Sequence, residues 1–394
     1  MKTKLSRRVT EVPPYLFAEM DRVEREMKRK GVDVISFGVG DPDIPTPDPI
    51  IEALNRASRD PKNHRYSPYE GLLEFREAAA GWYKRRFGVD LDPYREVHAL
   101  MGVKEGVIHF LLSLVDPGDL VLVMDPGYPI YEVGARFALG EVRRIPLLAE
   151  NGFLPDLSSI PKEVARKAKV LFVNYPHNPT SSVANLEFFQ ELVQFAEEHG
   201  IILCNDLVYS ELYFDHERPP SLLQVKGAKE RVVEFHSLSK TFNMTGWRVG
   251  FAVGNPDLIG GLGVIKTNTD SGLFCPIQIA GKVALDQEFS EQDYLRGIYR
   301  KRRDIVLDHL ERIGINVEPP RATFYVWLPL PWGSYSGGSI KFCKNILERC
   351  GVVLGPGIGW GDCGEGYYRI ALTIGEERLR VGMERLCRAI EEGP

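Results

Sequence analysis

Four short apolar runs most constrain the fold: LVLVM at 120–124, VLFVN at 170–174, IILCN at 201–205 and RVVEF at 231–235. Helical spacing separates them, notably at 186–198, and further runs follow at 96–100 and in FAVG after Gly250. Strands apolar on both faces must be covered on both faces, so the pattern predicts an α/β fold with a mostly parallel sheet between helices. Ligands of such sheets sit at the carboxyl ends of the strands. Polar residues gather there: Asn178 after the second run, Asp206 and Tyr209 after the third, and Ser237, Ser239 and Lys240 after the fourth. An isolated Asn-Pro is ordinarily a turn, and an Asp after a strand is ordinarily a helix cap. Their recurrence at successive strand ends is what argues for a site.

Eight residues beyond Lys240 stands Arg248, and Thr245–Gly246 between them is read as the point where the backbone reverses. The two cations then face one pocket. An amine that condenses with an aldehyde must be neutral for part of its cycle, which desolvation and neighbouring positive charge favour. An arginine stays charged and, with a serine hydroxyl, binds a phosphate dianion. Together these needs describe pyridoxal 5'-phosphate. Alone, Lys240 is one of 49 basic residues and a solvated face is its ordinary place.

At 394 residues, with 44% hydrophobic and 26% charged residues, the chain has room for two domains and a large core; domains run to roughly 150 residues each. A net charge of −5 without a basic block gives no reason to expect nucleic acid or an anionic membrane as partner. MKTKLSRRVTEVPPYLF has no apolar stretch behind its basic residues, so the cytoplasm is the expected compartment. Six scattered cysteines lack CxxC pairing, and no metal site is expected.

Elsewhere, Met101-Gly102-Val103-Lys104 joins a strand to a helix start, an arrangement that binds anions through free amides. Gly38 and Gly40 in GVGDPDIPTP suit close approach of backbone to a ligand, with a bare loop as the alternative. A long helical stretch over 277–312, strands near 315–318 and 323–329, and a glycine-dense GPGIGWGDCGEGYYRIALTI suggest a second, smaller α+β domain. The basic run at 300–303 is read as a solvated helix face, and Gly260–Gly263 as a turn.

With these residues in place the chain resembles the fold-type I pyridoxal-phosphate aminotransferases of class I/II. GVGDPD, YSPYEG, GVKEG, DPGYPIY, NYPHNPT, NDLVYSE, HSLSKTFNMTGWRVG and YYRIAL follow the family's order over about residues 12–390. Within it, GVKEGVIHFLLSLVDPGD, NGFLPDL and ATFYVW resemble the LL-diaminopimelate aminotransferases. The resemblance implies a seven-stranded large domain over 46–280. It also implies a small domain from 1–45 and 281–394, with a linker helix at about 281–312.

The resemblance also implies roles. Lys240 would hold the cofactor and move the substrate proton, Asp206 would pair with the pyridine nitrogen, Tyr209 and Asn178 would bond its phenolic oxygen, and Tyr128 would stack on the ring. Ser237, Ser239, Arg248 and the amides of Val103 and Lys104 would hold the phosphate, with Tyr66 reaching across from a partner subunit in a homodimer. Arg369 would clamp the substrate α-carboxylate, and Tyr15, Gly40, Lys104, Tyr128 and Asn178 would contact substrate. The implied reaction moves an amino group between an L-amino acid and a 2-oxo acid, with LL-diaminopimelate and 2-oxoglutarate as the pair. Aspartate or alanine transamination, and C–S lyase chemistry on the same fold, are the alternatives. A DNA-binding regulator would need an added domain for which the chain has no spare length. Two positions depart from the family: Ser181 stands where Asn-Pro-Thr-Gly has glycine, and Val103 where relatives often have serine.

Overall fold

The computed structural model describes the chain except residues 1–4, 11, 13–16, 216–217, 288–289, 332–334 and 394. Tyr15 therefore lies outside the described residues. In chain order the strands are β1 Ile35–Ser36, β2 Val97–Leu100, β3 Leu120–Asp125, β4 Glu141–Pro146, β5 Ala168–Val173 and β6 Ile202–Asp206. There follow β7 Val232–Ser237, β8 Gly250–Gly254, β9 Tyr325–Pro329, β10 Val352–Val353, β11 Gly355–Pro356 and β12 Tyr367–Ala371.

Seven strands form one sheet in the order β2-β8-β7-β6-β5-β3-β4. β8 runs antiparallel to both its neighbours and the other pairings are parallel. Alternation along the strands sends side chains to two cores. Val121, Val170, Phe172, Cys204, Val233 and Phe235 face one. Leu122, Leu171, Val173, Leu203, Val232 and Phe251 face the other. Each such side chain stabilises the fold by about 1.5–3 kcal/mol when fully buried, which is why the apolar runs end up as central strands. β4 escapes the sequence reading because EVRRIP is polar. As an edge strand it pairs on one side only and leaves Glu141 and Arg143 exposed.

The remaining strands build a three-stranded sheet, β11-β12-β9, and a two-stranded one in which β1 pairs with β10. Among the described residues no helix is long and apolar enough to cross a membrane.

Four expectations need correction. The stretch over 277–312 is two helices, Cys275–Asp286 and Ser290–Arg312, the first ending where Gln287 turns extended. No strand forms at 315–318; the Ile315 amide instead donates to the Leu310 carbonyl at 2.9 Å and closes the preceding helix. Gly260–Gly263 lies inside helix Pro256–Thr269, where Gly261 faces Ser113 of the helix Val103–Leu114 and Gly263 faces His98 on β2. In the run at 300–303, Arg302 and Arg303 are buried, ion-paired to Asp43 and Asp215.

Candidate active site

Lys240, Asp206 and the serines Ser237 and Ser239 stand at or just beyond the ends of strands of the seven-stranded sheet, while Arg369 lies within β12. β7 stops at Ser237, whose Oγ accepts the Ser239 amide at 3.1 Å and starts a single helical turn, Leu238–Thr241, that carries Lys240. The backbone then returns through a 3-10 turn, Thr245–Trp247, to Arg248. The left-handed residue here is Arg248 itself, at φ +56°, and not Gly246. The reversal expected at Thr245–Gly246 falls within that 3-10 turn, which Arg248 closes. Lys240 and Arg248 do face one cavity, of about 370 Å³.

At one end of that cavity stand Ser237, Ser239, Arg248 and the start of helix Val103–Leu114. Gly102 precedes this helix at φ +86°, and a Cβ there would overlap the Arg248 guanidinium. Arg248 Nη1 donates to the Thr245 carbonyl at 2.7 Å. Among the described residues the buried Ser239 Oγ has no hydrogen-bond partner. A hydroxyl left so, beside the start of a helix and an arginine, fits a phosphate.

At the floor, the buried Asp206 accepts a hydrogen bond from Tyr131 Oη at 2.8 Å. Burial pushes its carboxyl up to about 6, against the pull of that bond and of the Val208 amide. Tyr131 is held flat on Phe172 at 5.0 Å between ring centroids, and Tyr128 meets it edge-on. Asn174 Nδ2 donates to the Asp206 carbonyl at 2.5 Å, and its Oδ1 accepts the Asn178 amide at 3.0 Å. Tyr209 shares a hydroxyl hydrogen bond of 2.9 Å with Tyr325.

Between floor and phosphate end, Lys240 Nζ donates to the Gly40 carbonyl at 2.8 Å and lies over the Phe324 ring. Burial brings its pKa down to about 8, with Arg369 and Arg248 adding to the effect and Asp41 opposing it. Arg369, on β12, donates through Nη1 to Asn178 Oδ1 at 2.7 Å and through Nη2 to the Gly38 carbonyl at 2.9 Å. Its guanidinium is sandwiched by the rings of Tyr325 at 3.9 Å and Trp360 at 4.2 Å.

Tyr15 lies outside the described residues, and the other site residues named from the sequence line this cavity except Tyr66. Tyr66 is 88% exposed and lies outside it. Sequence reasoning missed Tyr131, Asn174, Tyr325 and Trp360. Tyr131 stands three residues after Tyr128 in DPGYPIY, and Tyr325 sits in ATFYVW, so the motifs were visible while their geometry was not. The cluster Glu105, His109 and Asp270 lies elsewhere, with the buried Lys266 ammonium bonded to both carboxylates.

Residues 32–386 match the family Aminotransferase class I and II. The chain is 53% identical to an LL-diaminopimelate aminotransferase of Syntrophobacter fumaroxidans, over 95% of this chain and 96% of that one. It is 52% identical to one of Aquifex aeolicus, over 97% and 98%. Its fold superposes on substrate-bound BacF of Bacillus subtilis with a TM-score of 0.95 at 36% identity, over 98% of both chains. The chain belongs to the class I and II aminotransferases, enzymes that depend on pyridoxal 5'-phosphate.

Proposed function

We propose that this aminotransferase takes LL-diaminopimelate as amino donor and 2-oxoglutarate as acceptor, with Lys240, Asp206 and Arg369 as its principal residues. The observation carrying the site assignment is the convergence of a lysine of lowered pKa, a buried carboxylate and a clamped arginine on one cavity whose far end holds an unpartnered serine hydroxyl. Identity above 50% over nearly the whole chain to relatives named for LL-diaminopimelate supports the donor.

The cofactor's fit rests on the Ser239 hydroxyl and on the Gly102 cradle that a side chain would fill. Ser237, Ser239, Arg248 and the amides of Val103 and Lys104 would hold its phosphate, Asp206 its ring nitrogen, Tyr209 and Asn178 its phenolic oxygen, and Tyr128 its ring face. When bound, it supplies the aldehyde that takes the amino group and a ring that accepts the electrons of the broken Cα–H bond. Asp206, ionised near neutral pH, favours a protonated partner at that nitrogen. Lys240 Nζ, with its pKa brought down to about 8, accepts and returns the substrate proton at nearly neutral pH. Arg369 presents two donors in a plane to a carboxylate and is already oriented by its two rings, so little side-chain entropy is lost on binding. Lys104 at the rim offers a cation to a substrate's distal carboxylate. The chain would act as a homodimer in the cytoplasm, with Tyr66 completing the partner's phosphate site; its exposure away from its own cavity supports this.

The test is a visible absorbance spectrum of the holoenzyme with single amino acids added. LL-diaminopimelate should bleach the band, and so should glutamate, since the acceptor half-reaction must run in reverse. Aspartate and alanine should not, and Lys240→Ala should lack the band. Preferential bleaching by aspartate or alanine sinks the substrate reading. Pyruvate released from cystathionine without bleaching would instead favour the C–S lyase.

A further inference from the structure

Ser181 follows the Asn178 loop with φ +63°, a backbone region that asks for glycine. Its side chain is nonetheless buried and doubly bonded: Oγ lies 2.7 Å from Thr323 Oγ1 and 2.8 Å from the Tyr325 carbonyl. Thr323, itself at φ +65°, accepts the Tyr325 amide on Oγ1 at 3.1 Å. The proton count closes a ring. Ser181 gives its one hydroxyl proton to the Tyr325 carbonyl, so Thr323 donates to Ser181 and receives from the Tyr325 amide. Two loops distant in sequence, at 177–182 and 323–325, are thereby joined at buried positions.

Tyr325 is the residue on which the cavity converges. Its ring lies under the Arg369 guanidinium, its hydroxyl is bonded to Tyr209, and Gly40 packs against it so closely that a Cβ would overlap. Ser181 does not itself line the cavity.

We propose that Ser181 is a positioning residue: through Thr323 and the backbone of Tyr325 it fixes the aromatic plate against which Arg369 receives the substrate carboxylate. The proposal rests on the carboxylate role given to Arg369 above. Loss of the hydroxyl loosens Tyr325 and weakens substrate binding, while the phosphate end and Lys240, anchored on β7, keep the cofactor.

Ser181→Ala keeps the left-handed backbone and removes the hydroxyl; Ser181→Gly removes both the hydroxyl and the strain. In both holoenzymes the amino-acid KM should rise about five- to tenfold with kcat within about twofold and the visible band unchanged. Thr323→Ala should reproduce this and Thr323→Ser should restore the parental KM. As a readout independent of turnover, hydrogen exchange at the Tyr325 amide should quicken in Ser181→Ala and Ser181→Gly. A parental KM in Ser181→Gly, an unchanged exchange rate, or loss of the visible band overturns the proposal. Arg369→Lys, run alongside, separates the two ideas: unchanged substrate affinity there overturns the carboxylate reading, whatever the Tyr325 amide does.

Discussion

Asp206 shows how a single residue trades stability for chemistry. Its carboxyl is raised from 3.8 to about 6 by burial. Between those values the folded state holds more protons than the unfolded one, so this group's contribution to stability falls as pH rises from about 4 to about 6 and stays low above that. Replacing it by Asn removes the penalty and keeps an acceptor for Tyr131. The cofactor-free Asp206→Asn variant should therefore be more stable than the parent by about 2–3 kcal/mol above pH ~6, with the difference vanishing below pH ~4. Urea melts across that range provide the check, and a variant no more stable than the parent at pH ~8 would contradict it. The same change should cost the enzyme about a hundredfold or more in kcat, because Asn cannot hold a protonated ring nitrogen.

At the scale of elements, the GVGDPD loop works by proximity. Gly38 and Gly40 offer their carbonyls to Arg369 and Lys240, and Gly40 has no room for a Cβ beside Tyr325. The Tyr325 ring cannot yield freely, because Arg369, Tyr209 and the Ser181 ring of bonds fix it from three sides. Gly40→Ala is accordingly expected to raise the amino-acid KM about tenfold or more while the visible band persists. Steady-state kinetics beside an absorbance spectrum would decide, and a parental KM would mean that the ring moves aside without consequence. The loop's glycines were legible as a close-approach signal, but the partner they make room for was not. Tyr325 stands 285 residues further on, as the two positions read in the sequence show, and no local pattern links them.

For the molecule as a whole, the cavity is assembled from strand ends of the seven-stranded sheet together with β9 and β12, so the chemistry depends on how the C-terminal strands sit against the sheet. If Tyr66 completes a neighbour's site, Lys240→Ala mixed with a variant inactivated by Tyr66→Phe plus a second crossing change should regain activity in hybrid dimers, at up to about a quarter of parental sites by random pairing. Activity no greater than that of either variant alone would count against shared sites.

The sequence by itself determined the sheet, through apolar runs that need two covered faces, and it marked Lys240, Asp206, Tyr209, Asn178 and Arg248, because polar residues at consecutive strand ends share a reason to be there. Those signals are local in the chain, and their physics is periodicity and solvation. The tertiary structure alone decided the polar edge strand β4, the burial of Arg302 and Arg303 opposite Asp43 and Asp215, the Tyr131 bond to Asp206, and the link from Ser181 through Tyr325 to Arg369. Each depends on which distant residue supplies a partner for a charge or a hydroxyl taken out of water, and that partner is chosen by packing.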